Sequence, residues 1–194
     1  MQIRALFLFF SMVSLFACSS APQLQQQPQV SPDVEIVQKG FSLLLPNKDE
    51  WKIVKKDEFK VVLSKKGITN QEQYTIQALV VKLPKFVNDQ EFMKFVSKRM
   101  KKSQQQSDGK VIEQHAQLID GLSEKCVKYN SKEQYSGKNK PVILETVNFT
   151  CRHSDKDYAG VYLAYSKKYF QGYDDKNFAE KAETLFNNLE LTAL

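Results

Sequence analysis

The chain has 194 residues, 42% of them hydrophobic and 26% charged, with a formal charge of +6. That is enough apolar residue for the core of one domain and too much for a mostly disordered chain. Seven glycines, six prolines and three cysteines exclude collagen-like, Gly-rich and disulfide-dense miniprotein classes.

Met1-Gln2-Ile3-Arg4 makes a short basic start, followed by an apolar run from Ala5 to Phe16 broken only by Ser11 and Ser14. Such a run is shorter than the about 20 residues of a membrane span and fits a signal peptide over residues 1–17. It ends in Leu15-Phe16-Ala17-Cys18, which resembles the lipobox of bacterial lipoprotein precursors, with Phe16 where a smaller or β-branched residue is usual. The resemblance implies a diacylglyceryl thioether on Cys18, cleavage before it and acylation of the new amine, commonly by palmitate. A cysteine suits the role because its thiolate is the nucleophile. Two or three acyl chains hold a protein on a membrane, where one gives only marginal binding. Ser19, in place of an aspartate, points to the outer membrane with the domain facing the periplasm; another bacterial membrane or the cell surface is the alternative. Residues 18–33 continue in Ser, Gln and Pro, the composition of a flexible tether.

Residues 34–194 read as a single domain. Phe41-Ser42-Leu43-Leu44-Leu45 is a strand stopped by Pro46, and Trp51 to Val54 is another. Phe59, Val61 and Leu63 alternate with Lys60, Val62 and Ser64, and Lys65-Lys66-Gly67 ends that strand. Residues 74–83 form a well-buried strand, rich in β-branched and aromatic side chains. The period then changes. Asn88 and Glu91 have capping-box spacing, and Phe92, Phe95, Val96 and Met100 follow at helical intervals, with a polar exit from Ser103. Strands return over 110–118, 122–131, 142–151 and 160–166. A last helix, capped by Asp174 or Asp175, carries Phe178, Ala182, Leu185, Phe186 and Leu189 on one stripe. The fold class is α+β: an antiparallel sheet flanked by two amphipathic helices. The strand from Phe41 to Pro46, Trp51 and the helices from Asp89 and Asp175 together resemble the Mog1/PsbP-like group, which implies an αβα layered domain in a scaffold or assembly role.

With Cys18 assigned to the anchor, Cys126 and Cys151 remain, and an even remainder in an exported chain points to a disulfide worth roughly 3.5 kcal/mol. Direct pairing makes partners sum to 277, turns the hairpin at Lys138-Asn139 and sets Lys132 against Glu145. It also puts Val147 and Phe149 on the face of Lys128 and Asn130, whereas the apolar pattern prefers them beside Val127 and Tyr129. A β-bulge or irregular turn near the disulfide would reconcile the two. The competing arrangement is a zinc site of His115, Cys126, Cys151 and His153, whose spacing matches no common pattern.

Only three of the 28 basic residues are arginines, which argues against nucleic acid. Lys98, Arg99, Lys101 and Lys102 are the candidate patch for anionic headgroups or an acidic partner. Tyr158, Tyr162, Tyr165, Tyr169 and Tyr173 have helical spacing, yet Gly160 and the β-favouring Val161-Tyr162-Leu163 place them on a strand, with Tyr162 and Tyr165 facing opposite ways. No nucleotide-binding, metalloprotease or nucleophile-elbow motif is present, no cofactor or metal is implied, and the isolated His115 and His153 read as surface or structural residues. The expectation is a non-enzymatic, membrane-anchored lipoprotein that binds or assembles an envelope partner. The alternatives are a lipid- or small-ligand-binding module, marked by an apolar cavity between sheet and helix, and an envelope hydrolase with a site assembled from distant residues.

Overall fold

The computed structural model describes residues 34–194 apart from 47–49, 70–71, 122–123, 138–139 and 174. The signal peptide, Cys18, the tether, the Lys138-Asn139 turn and Asp174 lie outside the described residues.

Strands β1 (Val34–Gln38) and β2 (Phe41–Leu45) form a hairpin whose two-residue turn places Gly40 at φ 91°. A Cβ at Gly40 would lie 2.8 Å from both Leu194 and Val80, so conformation and space each require glycine there. Next come β3 (Lys52–Asp57), β4 (Lys60–Lys66) and β5 (Gln73–Lys82), then α1 (Asp89–Gln105). Four long segments follow: β6 (Lys110–Gly121), β7 (Glu124–Tyr135), β8 (Val142–His153) and β9 (Lys156–Phe170). The chain closes with α2 (Phe178–Asn187) and β10 (Leu189–Leu191).

Seven strands make one antiparallel sheet in the order β3-β4-β5-β9-β8-β7-β6, and β1-β2-β10 make a second. The expected α+β class, an antiparallel sheet with two helices, is what the chain adopts, with a second small sheet added. Alternation along the strands divides the core in two. One face of the large sheet presents Leu63, Ile76, Phe149, Cys151, Leu163 and Tyr165 to α2 and the small sheet. The other presents Leu83 and Val127 to Phe92 and Val96 of α1.

That two-sided burial removes the register difficulty. β7 and β8 pair without a shift from Cys126↔Cys151 to Tyr135↔Val142, including Lys132↔Glu145. The bulge expected on this pair is therefore absent. Val147 and Phe149 do lie opposite in facing to Val127 and Tyr129, but each set meets a helix, because both faces are covered. Register shifts occur elsewhere, at Val111/Glu113, Ile53/Lys55 and Arg152/His153.

α1 starts as read. Asn88 Oδ1 accepts the Glu91 N–H at 3.0 Å, and Glu91 Oε2 accepts the Val87 N–H at 3.0 Å. It runs two residues past Ser103 because Gln104 is buried, its amide 3.3 Å from Glu133 Oε1. α2 differs from expectation at its start. Asn177, not Asp175, precedes the first helical residue, and Asp175, two residues earlier, instead accepts the Asn177 N–H at 3.1 Å.

Candidate functional site

The two helices leave different surfaces behind them. α2 lies on a face of stacked aromatic rings and paired charges, which also keeps a cleft of about 350 Å³ between Trp51, Lys65, Tyr165, Lys181 and Leu185. Tyr165 stacks on Phe178 with centroids 5.1 Å apart and on Tyr74 at 6.0 Å, and Trp51 meets Tyr165 edge-on at 6.4 Å. Lys167, 1% exposed, donates to the Tyr173 carbonyl at 2.9 Å, pairs with Glu72 at 3.3 Å and sits 4.6 Å from the Tyr169 ring centre. Lys65 pairs with Glu50 at 2.8 Å over the Trp51 ring, and Lys181 pairs with Asp175 at 2.8 Å. Lys128 pairs with Glu183 of α2. Tyr74 donates to Asp175 Oδ2 at 3.0 Å, and burial first, then that carboxylate, pushes the Tyr74 hydroxyl well above its ordinary range. Burial works against the charge of Asp175, but Lys181, the Asn177 N–H and the Tyr74 hydroxyl outweigh it and hold the carboxyl below its usual range.

α1 covers only part of its face, over β6 and β7. Beside it, toward β5 and β9, lies a groove of about 290 Å³. Leu79, Val81, Leu83, Phe95, Val96 and Met100 supply its apolar walls. Gln77, Ser103, Thr150 and Tyr162 supply polar atoms, and Arg99 stands at its edge. Tyr162 donates its proton to Asn148 Oδ1, and burial pushes its hydroxyl up to about 12 despite the opposing pull of the Arg99 charge.

The predicted basic patch thus divides. Lys98, Lys101 and Lys102, with Lys94, line the outer side of α1, while Arg99 turns toward the groove. Among the described residues, none of these five cations has a carboxylate within ion-pair distance. Lys39, Lys65, Lys85, Lys125, Lys128, Lys167 and Lys181 do, while other described lysines, such as Lys52, Lys55, Lys156 and Lys176, also lack one.

Cys126 and Cys151 are joined, with Cα atoms 4.1 Å apart and both residues fully buried. Their sulfurs are bonded to each other, so the zinc arrangement does not form from them. His115 is exposed on β6, while His153 is buried with Nε2 lying 2.9 Å from the Thr192 carbonyl and 3.1 Å from that of Gly40. Its Nδ1 accepts the Asp155 N–H at 3.2 Å, so Nε2 carries the proton. The ring clamps the small sheet to the large one, the structural role read for it. β9 carries the tyrosines as a strand, with Tyr165 toward α2 and Tyr162 toward α1. Glu133 is buried under α1, where Ser107, Tyr135 and Gln104 donate to its two oxygens, so it serves as a strut.

Two features escaped the reading of the sequence. The buried Lys167 was hidden because the strand was ended at Ser166; continuing the alternation of Leu163 and Tyr165 places Lys167 and Tyr169 inward. The groove has no local signal, since its walls come from β5, α1, β8 and β9.

No family model matches the chain, and no curated protein matches it in sequence. Among solved structures it is similar to the Ran-binding protein Mog1p of Saccharomyces cerevisiae, with a TM-score of 0.48 and 7% identity over 84% of this chain and 96% of that one.

Proposed function

We propose that this chain is a non-catalytic binding or assembly module of the bacterial cell envelope, anchored through a lipid on Cys18 and facing the periplasm from the outer membrane. The observation that carries the proposal is the Cys126–Cys151 disulfide. It ties the adjacent strands β7 and β8 inside the core, and such bonds persist in exported proteins and are rare in reducing compartments. With that pair accounted for, Cys18 is left at the end of an apolar N-terminal run, where the anchor needs it. The same proposal takes the domain as a member of the Mog1/PsbP-like group. Its support is the element order: a strand ending at Leu45 before Pro46, Trp51 soon after, a central helix, antiparallel strands and a second helix followed by a short strand.

A binding role rather than catalysis is supported by how the polar groups are used. Glu133 and His153 are held by several partners each, as struts are. The α1 cations are left for an outside partner.

Fractionation of cells expressing the chain tests the anchor. The native chain is expected in the outer-membrane fraction and to take up labelled palmitate; Cys18→Ala is expected to lose the label and leave the membrane pellet. A Cys18→Ala chain that stayed wholly with the membranes would refute it.

A further inference from the structure

We infer that the groove between α1 and strands β5 and β9 is a binding site for a single-chain anionic amphiphile, with its alkyl chain against the apolar walls and its head on Arg99. This rests on the reading of the domain as a binding module and not on its anchor. Three observations meet at the groove. Its walls are Leu79, Val81, Leu83, Phe95, Val96 and Met100, so the interior favours hydrocarbon. Its volume of about 290 Å³ lies at the lower edge of the roughly 300–1,000 Å³ of small-ligand sites, which suits one alkyl chain and not the two of a phospholipid.

The third observation is charge. Arg99 lines the groove, and its field acts on Tyr162 across it. No carboxylate among the described residues neutralises it, nor its neighbours Lys94, Lys98, Lys101 and Lys102. Those lysines outweigh the roughly half negative charge of the nearby helix C-terminus. A cation with no carboxylate partner among the described residues, at the mouth of an apolar groove, is complementary to a carboxylate or phosphate on a hydrocarbon tail. Gln77 and Ser103, which also line the groove, can add hydrogen bonds to the head.

The test is photolabelling of the full chain with a diazirine analogue of dodecanoate, the labelled peptides being mapped by mass spectrometry. Label is expected on α1 and β5, in the peptides holding Phe95, Met100 and Leu79. Excess dodecanoate or dodecyl phosphate should compete, and the better competitor identifies the head as carboxylate or phosphate. Dodecyl maltoside, with the same tail and no charge, and butyrate, with the charge and little tail, should not. Arg99→Gln is a surface change that removes a charge-assisted contact, and should lower labelling about tenfold. Leu79→Gln should lower it as well, and Lys39→Gln should not. Labelling that Arg99→Gln leaves intact, that dodecyl maltoside competes equally, or that falls only before Val34 or on the outward lysines overturns the proposal; the last pattern would mark a bilayer surface. The label is read on whichever cell fraction holds the chain. A failed anchor therefore appears in the fractionation and a failed groove in the labelled peptides.

Discussion

The α1 and α2 faces of the same sheet have solved the problem of lysine in opposite ways. On the α2 face Lys65, Lys128, Lys167 and Lys181 each have a carboxylate, and Lys65, Lys167 and Lys181 also lie over aromatic rings. On α1 five cations stand in nine residues with no paired acid among the described residues, beside a groove that its side chains do not fill. The α2 charges are satisfied within the chain, although a cleft of about 350 Å³ remains beside Lys65 and Lys181. Unpaired ones raise repulsion and gain no ion pair from folding; of the five, Arg99 lines the apolar groove and the four lysines lie on the outer side of α1. Net charge alone does not show this difference, and the α1 face has a paired cation of its own, Arg152, which meets Asp89 at 2.8 Å over the Phe92 ring.

The comparison breaks most sharply at Lys167. If the α2 face is a closed network, Lys167→Met strands Glu72, whose side chain is 10% exposed, and unpairs the Tyr173 carbonyl. Removing one member of a buried ion pair costs about 3–5 kcal/mol, because the other charge stays buried. A urea midpoint shift of that size is expected with m unchanged, and Glu72→Gln added to Lys167→Met should recover much of it. A loss under about 1 kcal/mol would show that the pair is solvated and the face less closed than its burial implies.

How far these features can be read in advance depends on how local they are. The Asn88–Glu91 cap, the α1 stripe through Phe92 and Val96, and the α2 stripe through Phe178 to Phe186 are set by neighbours within a turn or two, and all were legible. The disulfide was legible by counting. The direct register of Cys126 with Cys151 is the one observed, and the bulge expected beside it was not needed, because alternation was read as one buried face whereas Val127 meets α1 and Phe149 stacks on Phe186 of α2, 4.2 Å away. Strands covered on both sides lose the simple polar–apolar contrast. Strand β10 was missed because Leu189 continues the α2 stripe, and pairing with β2 decides its conformation. The basic patch was legible as a cluster, but its division around the helix, with Arg99 alone toward the groove, needed the position of the sheet.

A smaller effect sharpens the α2 side through acid. Asp175 has its carboxyl held below the ordinary range by Lys181, the Asn177 N–H and the Tyr74 hydroxyl. Its contribution is present above the unfolded-state value, about 3.9, and is lost as pH falls through the lower folded-state value. The stability difference between the native chain and Asp175→Asn should be constant from about pH 7 to about pH 5 and shrink below about pH 4. A difference that grew on acidification would mean the carboxylate is strained rather than stabilised.

The smallest effect belongs to the unpaired lysines. Replacing Lys94, Lys98, Lys101 and Lys102 with Gln removes no ion pair among the described residues, so nothing buried is stranded. Lys98 lies within one helical turn of Lys94, Lys101 and Lys102, and each like-charged pair costs a few tenths of a kcal/mol. Lys102, in the last turn, gains about as much from the helix dipole as one such repulsion takes away. Stability should therefore change by less than about 0.5 kcal/mol, in either direction. Salt separates the terms. Raising it to about 1 M shortens the screening length to about 3 Å and relieves repulsion in the native chain. The substituted chain should gain less from the same salt. An equal gain in both would mean that the lysines already have partners, and the α1 charges would then be satisfied within the chain like those of the α2 face.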